Sequence, residues 1–286
     1  MLILTIIGLM LFEANSHNFT ERIIGGNKCS VEENPFVVSV RTTHKLTHFC
    51  GGSLIKPQWV LTAAHCTYEF VREPDKITCI IGLSEYQRSK VQSIAADLIH
   101  VHEYYTFPVI FHDISLIHLI RPAILFDSVG LIKMPKEYQE KVDCSVGKMT
   151  GWGSMRAWDP DKDVKPKTEF SSHLMCVEVD VMSTEECMKE SKGRANEFVL
   201  CTLIGNESKD ACQGDSGGAL FCGRTQIGII ASGKGCGVAK NLAYYTNVPR
   251  YLNYIENIIS GCKNTIDNIL AIYFRVILLC CLLKKL

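Results

Sequence analysis

Short apolar segments rich in β-branched residues alternate with turn-forming residues through most of the chain, from residue 23 to about residue 259. The clearest of these segments are 36–40, 77–81, 114–120, 174–181 and 226–230. Many short strands with few helical patterns between them are typical of an all-β sandwich or barrel. No internal repeat, low-complexity stretch or evident linker divides this region, so we expect one all-β domain.

One helix is predicted at the end of this region. The apolar residues after Pro249 recur at spacings of three or four residues, which places them on one face of a helix. They are Leu252, Ile255, Ile258 and Ile259. We expect this apolar face to dock on the body of the domain.

The first residues of the chain have a different pattern. Leu2 to Phe12 is an almost unbroken apolar run, and small residues follow it up to Ser16. Such a run followed by small residues predicts a signal peptide over residues 1–16, cleaved after Ser16, with a buried helix as the alternative. Residues 17–22 would then form a short propeptide.

Residues 263–286 form an apolar extension beyond the domain. Its apolar run, 269–283, is shorter than the roughly 20 residues of a spanning helix and contains Arg275, which is costly in lipid. We therefore do not expect a membrane span. A glycolipid-anchor signal after the small pair Ser260-Gly261, docking on the protein and reversible membrane contact stay open as alternatives.

Charge and cysteine content narrow the function classes. The 30 Lys and Arg residues balance the 30 Asp and Glu residues, so nothing suggests a nucleic-acid partner. The 14 cysteines are spread along the chain without the CxxC spacing typical of a zinc site, and no cofactor fingerprint is present. This cysteine content favours an oxidising compartment, so we expect a secreted, disulfide-bonded protein without a metal or cofactor.

Three segments contain residues suited to nucleophilic catalysis. They read LTAAHC, HDISLI and DACQGDSGG. A serine hydroxyl attacks an amide only when a base accepts its proton, and a carboxylate orients that base. The segments supply His65 as base, Asp113 as orienting carboxylate and Ser216 as nucleophile. The backbone amides of Gly214 and Ser216 are candidate donors for the developing oxyanion. The other histidines are interpreted as surface or structural residues.

Together these segments resemble the chymotrypsin/trypsin family of serine proteases, in the family's order of His, Asp and Ser. Each motif alone could be an ordinary core residue or turn, but their joint occurrence makes chance a poor explanation. The resemblance covers residues 23 to about 259 and includes IIGG at 23–26, CGGSL at 50–54 and GWG at 151–153. It implies a domain over residues 23–262 with two antiparallel six-stranded β-barrels, a C-terminal helix and an active site between the barrels.

The resemblance also implies activation by cleavage between Arg22 and Ile23. The freed ammonium group of Ile23 would insert, pair with Asp215 beside the nucleophile, and order the turn that presents the oxyanion donors. A buried ion pair suits a switch better than it suits stability, because its desolvation cost largely offsets its attraction.

Substrate choice is expected to depend on Asp210, six residues before Ser216, where trypsin-like members of the family carry Asp. A carboxylate at the floor of an apolar pocket favours a Lys or Arg side chain. The pocket wall departs from the family pattern, because Ala231-Ser232-Gly233 replaces Ser-Trp-Gly and removes an indole. Ala243 stands where a glycine is often found, so we expect a narrower pocket that disfavours either Lys or Arg.

The remaining predictions concern covalent features. Family spacing implies five disulfides, Cys50–Cys66, Cys29–Cys176, Cys144–Cys222, Cys187–Cys201 and Cys212–Cys236. Cys79 lies in an apolar strand and is expected to be a buried thiol. Two sequons, at Asn18 and Asn206, are candidate glycosylation sites.

We therefore expect a secreted, monomeric serine endopeptidase that hydrolyses proteins or peptides after Arg or Lys and can meet protein protease inhibitors. The alternative from another class is a protease-like protein that binds or regulates with little catalysis. The unusual Ala231-Ser232 wall keeps that alternative open. A third alternative is a protease tethered to a membrane by residues 263–286.

Overall fold

The computed structural model describes most of the predicted domain. The described residues are 24–83, 90–108, 110–137, 144–154, 156–162, 164 and 167–261. The predicted signal peptide and propeptide, the activation residues Arg22 and Ile23, the sequon at Asn18 and the C-terminal extension lie outside the described residues. Where the chain is described, none of its helices has the length and apolar character needed to cross a membrane.

The first half of the chain forms a closed barrel of six antiparallel strands. After a short first strand, β1 (Asn27–Lys28), these are β2 (Val37–Thr42), β3 (His48–Lys56), β4 (Trp59–Thr62), β5 (Ile77–Ile81), β6 (Gln92–Val101) and β7 (Ser115–Leu119). The order β2-β3-β4-β7-β6-β5 closes because β5 pairs with β2. Leu54, Val60 and Ile117 are fully buried in the core that this barrel encloses. The prediction of a six-stranded barrel is confirmed here.

The other strands form one seven-stranded antiparallel sheet. Its members are β1, β8 (Val146–Gly151), β9 (Met175–Asp180), β10 (Val199–Leu203), β11 (Ala219–Cys222), β12 (Thr225–Gly233) and β13 (Leu242–Asn247). Its order is β1-β9-β8-β11-β12-β13-β10, and it does not close fully, which corrects the prediction of a second six-stranded barrel. β1 pairs with the edge of β9 at Met175 and Cys176, and the other four residues of β9 form no strand ladder with β10. Only an isolated bridge from Val181 to Thr202 connects the end of β9 to β10.

The described residues contain three α-helices. They are α1 (Ala64–Thr67), α2 (Thr184–Glu190) and α3 (252–261). The predicted C-terminal helix is confirmed as α3, which docks on the barrel: Ile255 is buried, and the Tyr254 hydroxyl donates to the His100 carbonyl of β6 at 3.2 Å. Helix α2 was not predicted from the sequence, although Ser183 and Glu186 form a capping box, a known signal for a helix start.

Five disulfides join the cysteine pairs that the family resemblance implied. Cys29–Cys176 fastens the segment after β1 to β9 across a sequence separation of 147 residues. A link across so long a loop removes many conformations from the unfolded chain. Cys79 is a buried free thiol in β5, as expected.

Candidate active site

Two neighbouring strands of the barrel bring His65 and Asp113 together. β4 and β7 pair at Thr62 and Ser115, so the residue segments just after β4 and just before β7 lie side by side. His65 Nδ1 lies 2.7 Å from Asp113 Oδ2, and the backbone N–H of His65 donates to Asp113 Oδ1 at 2.8 Å. Because the carboxylate only accepts, the ring proton sits on Nδ1 and Nε2 is left as the acceptor.

Contacts from both sheets hold Asp113, which is 3% exposed. The Thr246 hydroxyl of β13 donates to the backbone carbonyl of Asp113 at 2.7 Å. On the barrel side, His112 has a left-handed φ of 56° and stacks on His102 with ring centroids 4.7 Å apart. Residues of the barrel and of the seven-stranded sheet therefore both contribute to the position of the Asp113 carboxylate.

Ser216 lies against the same disulfide as His65. The Gly51 N–H of β3 donates to the Ser216 carbonyl at 2.8 Å, which attaches the serine's turn to the barrel. Cys66 Sγ is 3.7 Å from the Ser216 carbonyl oxygen and 3.7 Å from His65 Nε2, so both residues adjoin one sulfur atom. The hydrogen bonds of the described residues do not include one between Ser216 Oγ and His65 Nε2, a bond that often tightens only when substrate is bound.

The turn that precedes Ser216 offers two backbone donors. Gly214 has a φ of 100°, a value that favours glycine. Among the described residues, the N–H groups of Gly214 and Ser216 have no hydrogen-bond partner, whereas those of Asp215 and Gly217 are bonded within the turn and to β12. Two unpaired N–H groups beside a serine hydroxyl can receive an anionic oxygen.

His48 holds this turn in place, a role that the sequence analysis missed. The side chain is buried, with Nε2 2.9 Å from the Gly214 carbonyl and Nδ1 2.8 Å from Ser39 Oγ. Because a carbonyl only accepts, Nε2 carries the proton and Nδ1 accepts from Ser39. Burial lowers the pKa of His48 to about 4, so the ring is neutral near pH 7. Its position two residues before Cys50, in a buried strand, was the available signal.

Asp215 is a buried carboxylate next to the serine. It accepts hydrogen bonds from the Gly153 N–H at 2.8 Å and the Cys212 N–H at 3.0 Å. A β-carbon on Gly151 or Gly153 would overlap the carboxylate, which accounts for glycine at both positions. Burial raises the pKa of Asp215 to about 6. A buried carboxylate whose described donors are all neutral favours the approach of a cation.

A pocket of about 180 Å³ opens beside Ser216. The four residues predicted for the specificity pocket all line it, and they are Asp210, Ala231, Gly233 and Ala243. Asp210 is buried, and its Oδ2 accepts from the Gly237 N–H at 2.9 Å. Burial raises the pKa of Asp210 to about 7, and repulsion from Asp215 adds to the effect. The structure thus brings the predicted pocket residues together.

Ile24, the first described residue, contacts two residues of the pocket lining. Ile24 is buried against Cys212 and Cys236, and its carbonyl accepts from the Asp210 N–H at 3.3 Å. Ile24, the second residue after the predicted activation cut, therefore contacts the segment that carries the pocket's carboxylate.

One group of ligand-type atoms in the described residues is compact enough for a metal ion, from Cys50, His65 and Cys66. The two sulfurs are bonded to each other, so neither is a thiolate and the group does not fit a metal. The arrangement is suited instead to proton transfer and nucleophilic attack.

Comparison with known proteins assigns the architecture and then the family. A solved structure of neuropsin, described as a serine protease expressed in the limbic system of mouse brain, matches 82% of this chain and 98% of its own. The match has a TM-score of 0.69 at 28% sequence identity, so the architecture is that of a serine protease. The family model named Trypsin matches residues 23–255, and the chain belongs to the trypsin family.

Curated relatives agree with this assignment. The chain is 30% identical over 246 residues to trypsin of Sus scrofa, covering 84% of this chain and 97% of that protein. It is 31% identical over 246 residues to cationic trypsin-3 of Rattus norvegicus, covering 84% of this chain and 91% of that protein. The resemblance drawn from the motifs is confirmed.

Proposed function

We propose that this chain is a secreted serine endopeptidase that cleaves proteins and peptides after Lys or Arg. The observation that carries the proposal is the hydrogen-bonded pair of His65 and Asp113, whose free Nε2 adjoins the same sulfur atom as Ser216. Such a pair activates a serine hydroxyl by accepting its proton. The apolar N-terminal run and the five disulfides support secretion.

In the proposed mechanism, Ser216 Oγ bonds to the substrate carbonyl carbon while its proton passes to His65 Nε2. The electron pair of the carbonyl π bond moves to the oxygen, which accepts hydrogen bonds from the N–H groups of Gly214 and Ser216. Collapse of this intermediate breaks the C–N bond, and His65 gives its proton to the leaving amine. Asp113 keeps the other ring proton on Nδ1 and stabilises the imidazolium.

Water completes the cycle from the acyl-enzyme. His65 Nε2 takes a proton from the water as its oxygen attacks the ester carbon. The bond to Ser216 Oγ then breaks, the serine recovers its proton from His65, and the acid product leaves. Each step uses groups of this chain, the substrate and water alone.

Specificity for a basic side chain is supported by Asp210. A Lys or Arg side chain in the pocket would place a positive charge near a carboxylate that otherwise has only neutral donors among the described residues. The ion pair would lower the pKa of Asp210 and convert an unfavourable buried group into a binding interaction. The methyl group of Ala243 narrows the pocket, so we expect a preference between the two basic side chains.

Activation by cleavage after Arg22 is supported by Asp215. Its buried carboxylate favours a cation, and the new ammonium group of Ile23 is one that the cut would supply. Ile24, the second residue after the cut, accepts a hydrogen bond from the Asp210 N–H of the pocket segment. Because Arg precedes the bond, an enzyme with the specificity proposed here could make the cut.

An organophosphorus serine reagent tests the proposal directly. We expect covalent labelling of Ser216 in the form cleaved after Arg22, and little labelling of the uncleaved form. Ser216→Ala, cleaved in the same way, is the control. A verified cleaved protein that resists labelling would support the binding or regulatory alternative. A substrate library then tests specificity, and Lys or Arg is expected immediately before the bond that is cut.

A further inference from the structure

Helix α3 docks on the barrel through an apolar face. Ile255 is buried, and Ile258 and Ile259, one turn later, are half-buried and pack on the same hydrophobic core. The Tyr254 hydroxyl donates to the His100 carbonyl of β6, which places this face of α3 against the outer side of the barrel.

The sequence continues the pattern of α3 after Gly261, the last described residue. At 100° per residue, six later apolar residues fall on the same side of a helix as Ile255, Ile258 and Ile259, with no break in phase. They are Ile266, Ile269, Leu270, Tyr273, Val276 and Ile277. The polar residues fall on the opposite side, and they are Asn264, Asp267, Asn268 and Arg275. Beyond Ile277 both sides are apolar, so the amphipathic pattern ends there.

Extending a formed helix is easier than starting a new one. The first turn of an isolated helix is costly, but each residue added to an existing helix contributes a hydrogen bond for one more residue fixed. Residues 262–277 would lengthen α3 by about 24 Å. An amphipathic helix of this kind becomes stable when its apolar face packs on another surface.

The barrel offers such a surface in a strip of exposed apolar side chains. We call it the apolar strip, and its members are Leu98, Ile120, Ile124 and Leu125. Ile124 is 68% exposed and Ile120 is 55% exposed, values that leave most of each side chain in water. The backbone below them is firmly held. The Ile120 N–H donates to the Ala95 carbonyl of β6, and the Gln92 side chain forms two hydrogen bonds with the backbone of Ile124.

The apolar strip begins beside the place where α3 docks. The Trp59 ring lies 6.1 Å from the ring of His100, whose carbonyl bonds to α3, and 4.7 Å from the ring of His118. His118 pairs with Leu98 in the ladder of β6 and β7, and it precedes Ile120 by two residues. The surface under α3 and the apolar strip are therefore neighbours on one side of the barrel.

We propose that α3 continues to about Ile277 and that the apolar face of residues 262–277 lies on the apolar strip. Docking removes two apolar surfaces from water, and the covalent link to α3 gives the segment a high effective concentration at the strip. The polar side of the segment carries one acidic and one basic residue, Asp267 and Arg275, whereas helices that lie on membranes are rich in Lys and Arg on that side. The inference does not depend on the proposed function.

Hydrogen exchange measured by mass spectrometry tests the inference on the full chain. The Ser216→Ala protein is used to prevent self-cleavage, without lipid and at low concentration, and its intact mass first verifies that residues 262–286 are present. We expect the amides of residues 266–277 to exchange at least about tenfold more slowly than in an unstructured peptide of the same sequence.

Variants of the barrel test whether the apolar strip causes this protection. Ile120→Asp combined with Ile124→Asp should restore fast exchange in residues 266–277 and leave the exchange of the barrel strands unchanged. Val71→Asp combined with Val146→Asp is the matched control, because it makes the same kind of change at exposed apolar positions outside the strip. This control should keep the protection of residues 266–277.

Variants of the segment test which of its sides is docked. Ile269→Asp places a charge on the apolar side and should abolish the protection. Ala271→Asp places the same charge two residues later, on the polar side, and should preserve it. These two variants differ in the side that they alter and not in the residue introduced.

Four results would overturn the inference. They are fast exchange of residues 266–277 in the parent protein, protection that survives the double change in the strip, protection that appears only with phosphatidylcholine vesicles, and protection that increases with protein concentration. The third would indicate a membrane surface as the partner, and the fourth a second copy of the chain. A secreted protein whose mass lacks residues 262–286 would overturn it as well.

Discussion

Asp113 lies on the barrel side of the site, and Asp210 and Asp215 lie on the side of the seven-stranded sheet. The two sides differ in how the charge of these carboxylates is compensated. Asp113 accepts two hydrogen bonds from His65, whose ring becomes cationic when it takes up a proton. Asp210 and Asp215 accept backbone N–H groups, and burial raises their pKa to about 7 and about 6. The barrel-side carboxylate is therefore partnered within the chain, whereas the other two are suited to cations that the proposed substrate and the proposed activation would bring.

The largest effect is expected from Asp113→Asn in the activated enzyme. The amide cannot hold the imidazole in the required tautomer, so kcat should fall about 10⁴-fold with little change in KM, as for triads of this type. Steady-state kinetics with an arginine substrate measure the loss. A decrease of less than tenfold would mean that the barrel side does not depend on this carboxylate.

The second-largest loss of activity is expected from Asp210→Ser. Loss of the buried carboxylate leaves a substrate cation unpaired, so kcat/KM for Lys and Arg substrates should fall about 10²- to 10³-fold. Asp75→Asn removes the same charge from an exposed position and should leave kcat/KM unchanged. An unaltered preference for basic residues in Asp210→Ser would show that another group binds the positive charge of the substrate side chain.

An intermediate effect is expected from His48→Phe. Without the imidazole, the Gly214 carbonyl and Ser39 lose their partner, so the turn should be less firmly held and kcat should fall about tenfold. The free energy of unfolding should also fall by about 1–3 kcal/mol. His44→Phe, on the surface, is the comparison variant and should change neither quantity appreciably.

The smallest effect is a pH dependence of stability without substrate. Asp210 has an ordinary pKa of 3.8 but about 7 when folded, so between these values the folded state keeps a proton that the unfolded state releases. Its contribution to the free energy of unfolding should therefore decrease as pH rises from about 4 to about 7, then level off. Denaturant titrations of Ser216→Ala, with and without Asp210→Asn, measure it. Equal slopes in the two proteins would contradict the assignment.

The structure brings His65 next to Asp113 and groups the pocket residues, as short motifs with fixed spacing had led us to expect. The disulfide pairs are those that the family resemblance implied. The openness of the second sheet was not found, since it depends on which strand reaches the edge of β9. His48 was missed because its partner, Gly214, is distant in sequence.

The placement of the first strand and the last helix that the structure describes has a consequence for how the molecule unfolds. β1 precedes the barrel but belongs to the other sheet, and α3 follows that sheet but docks on the barrel. Each half is thus packed against a segment that is continuous in sequence with the other half. Neither half is expected to be autonomous when produced as a fragment, and calorimetry should record one cooperative transition.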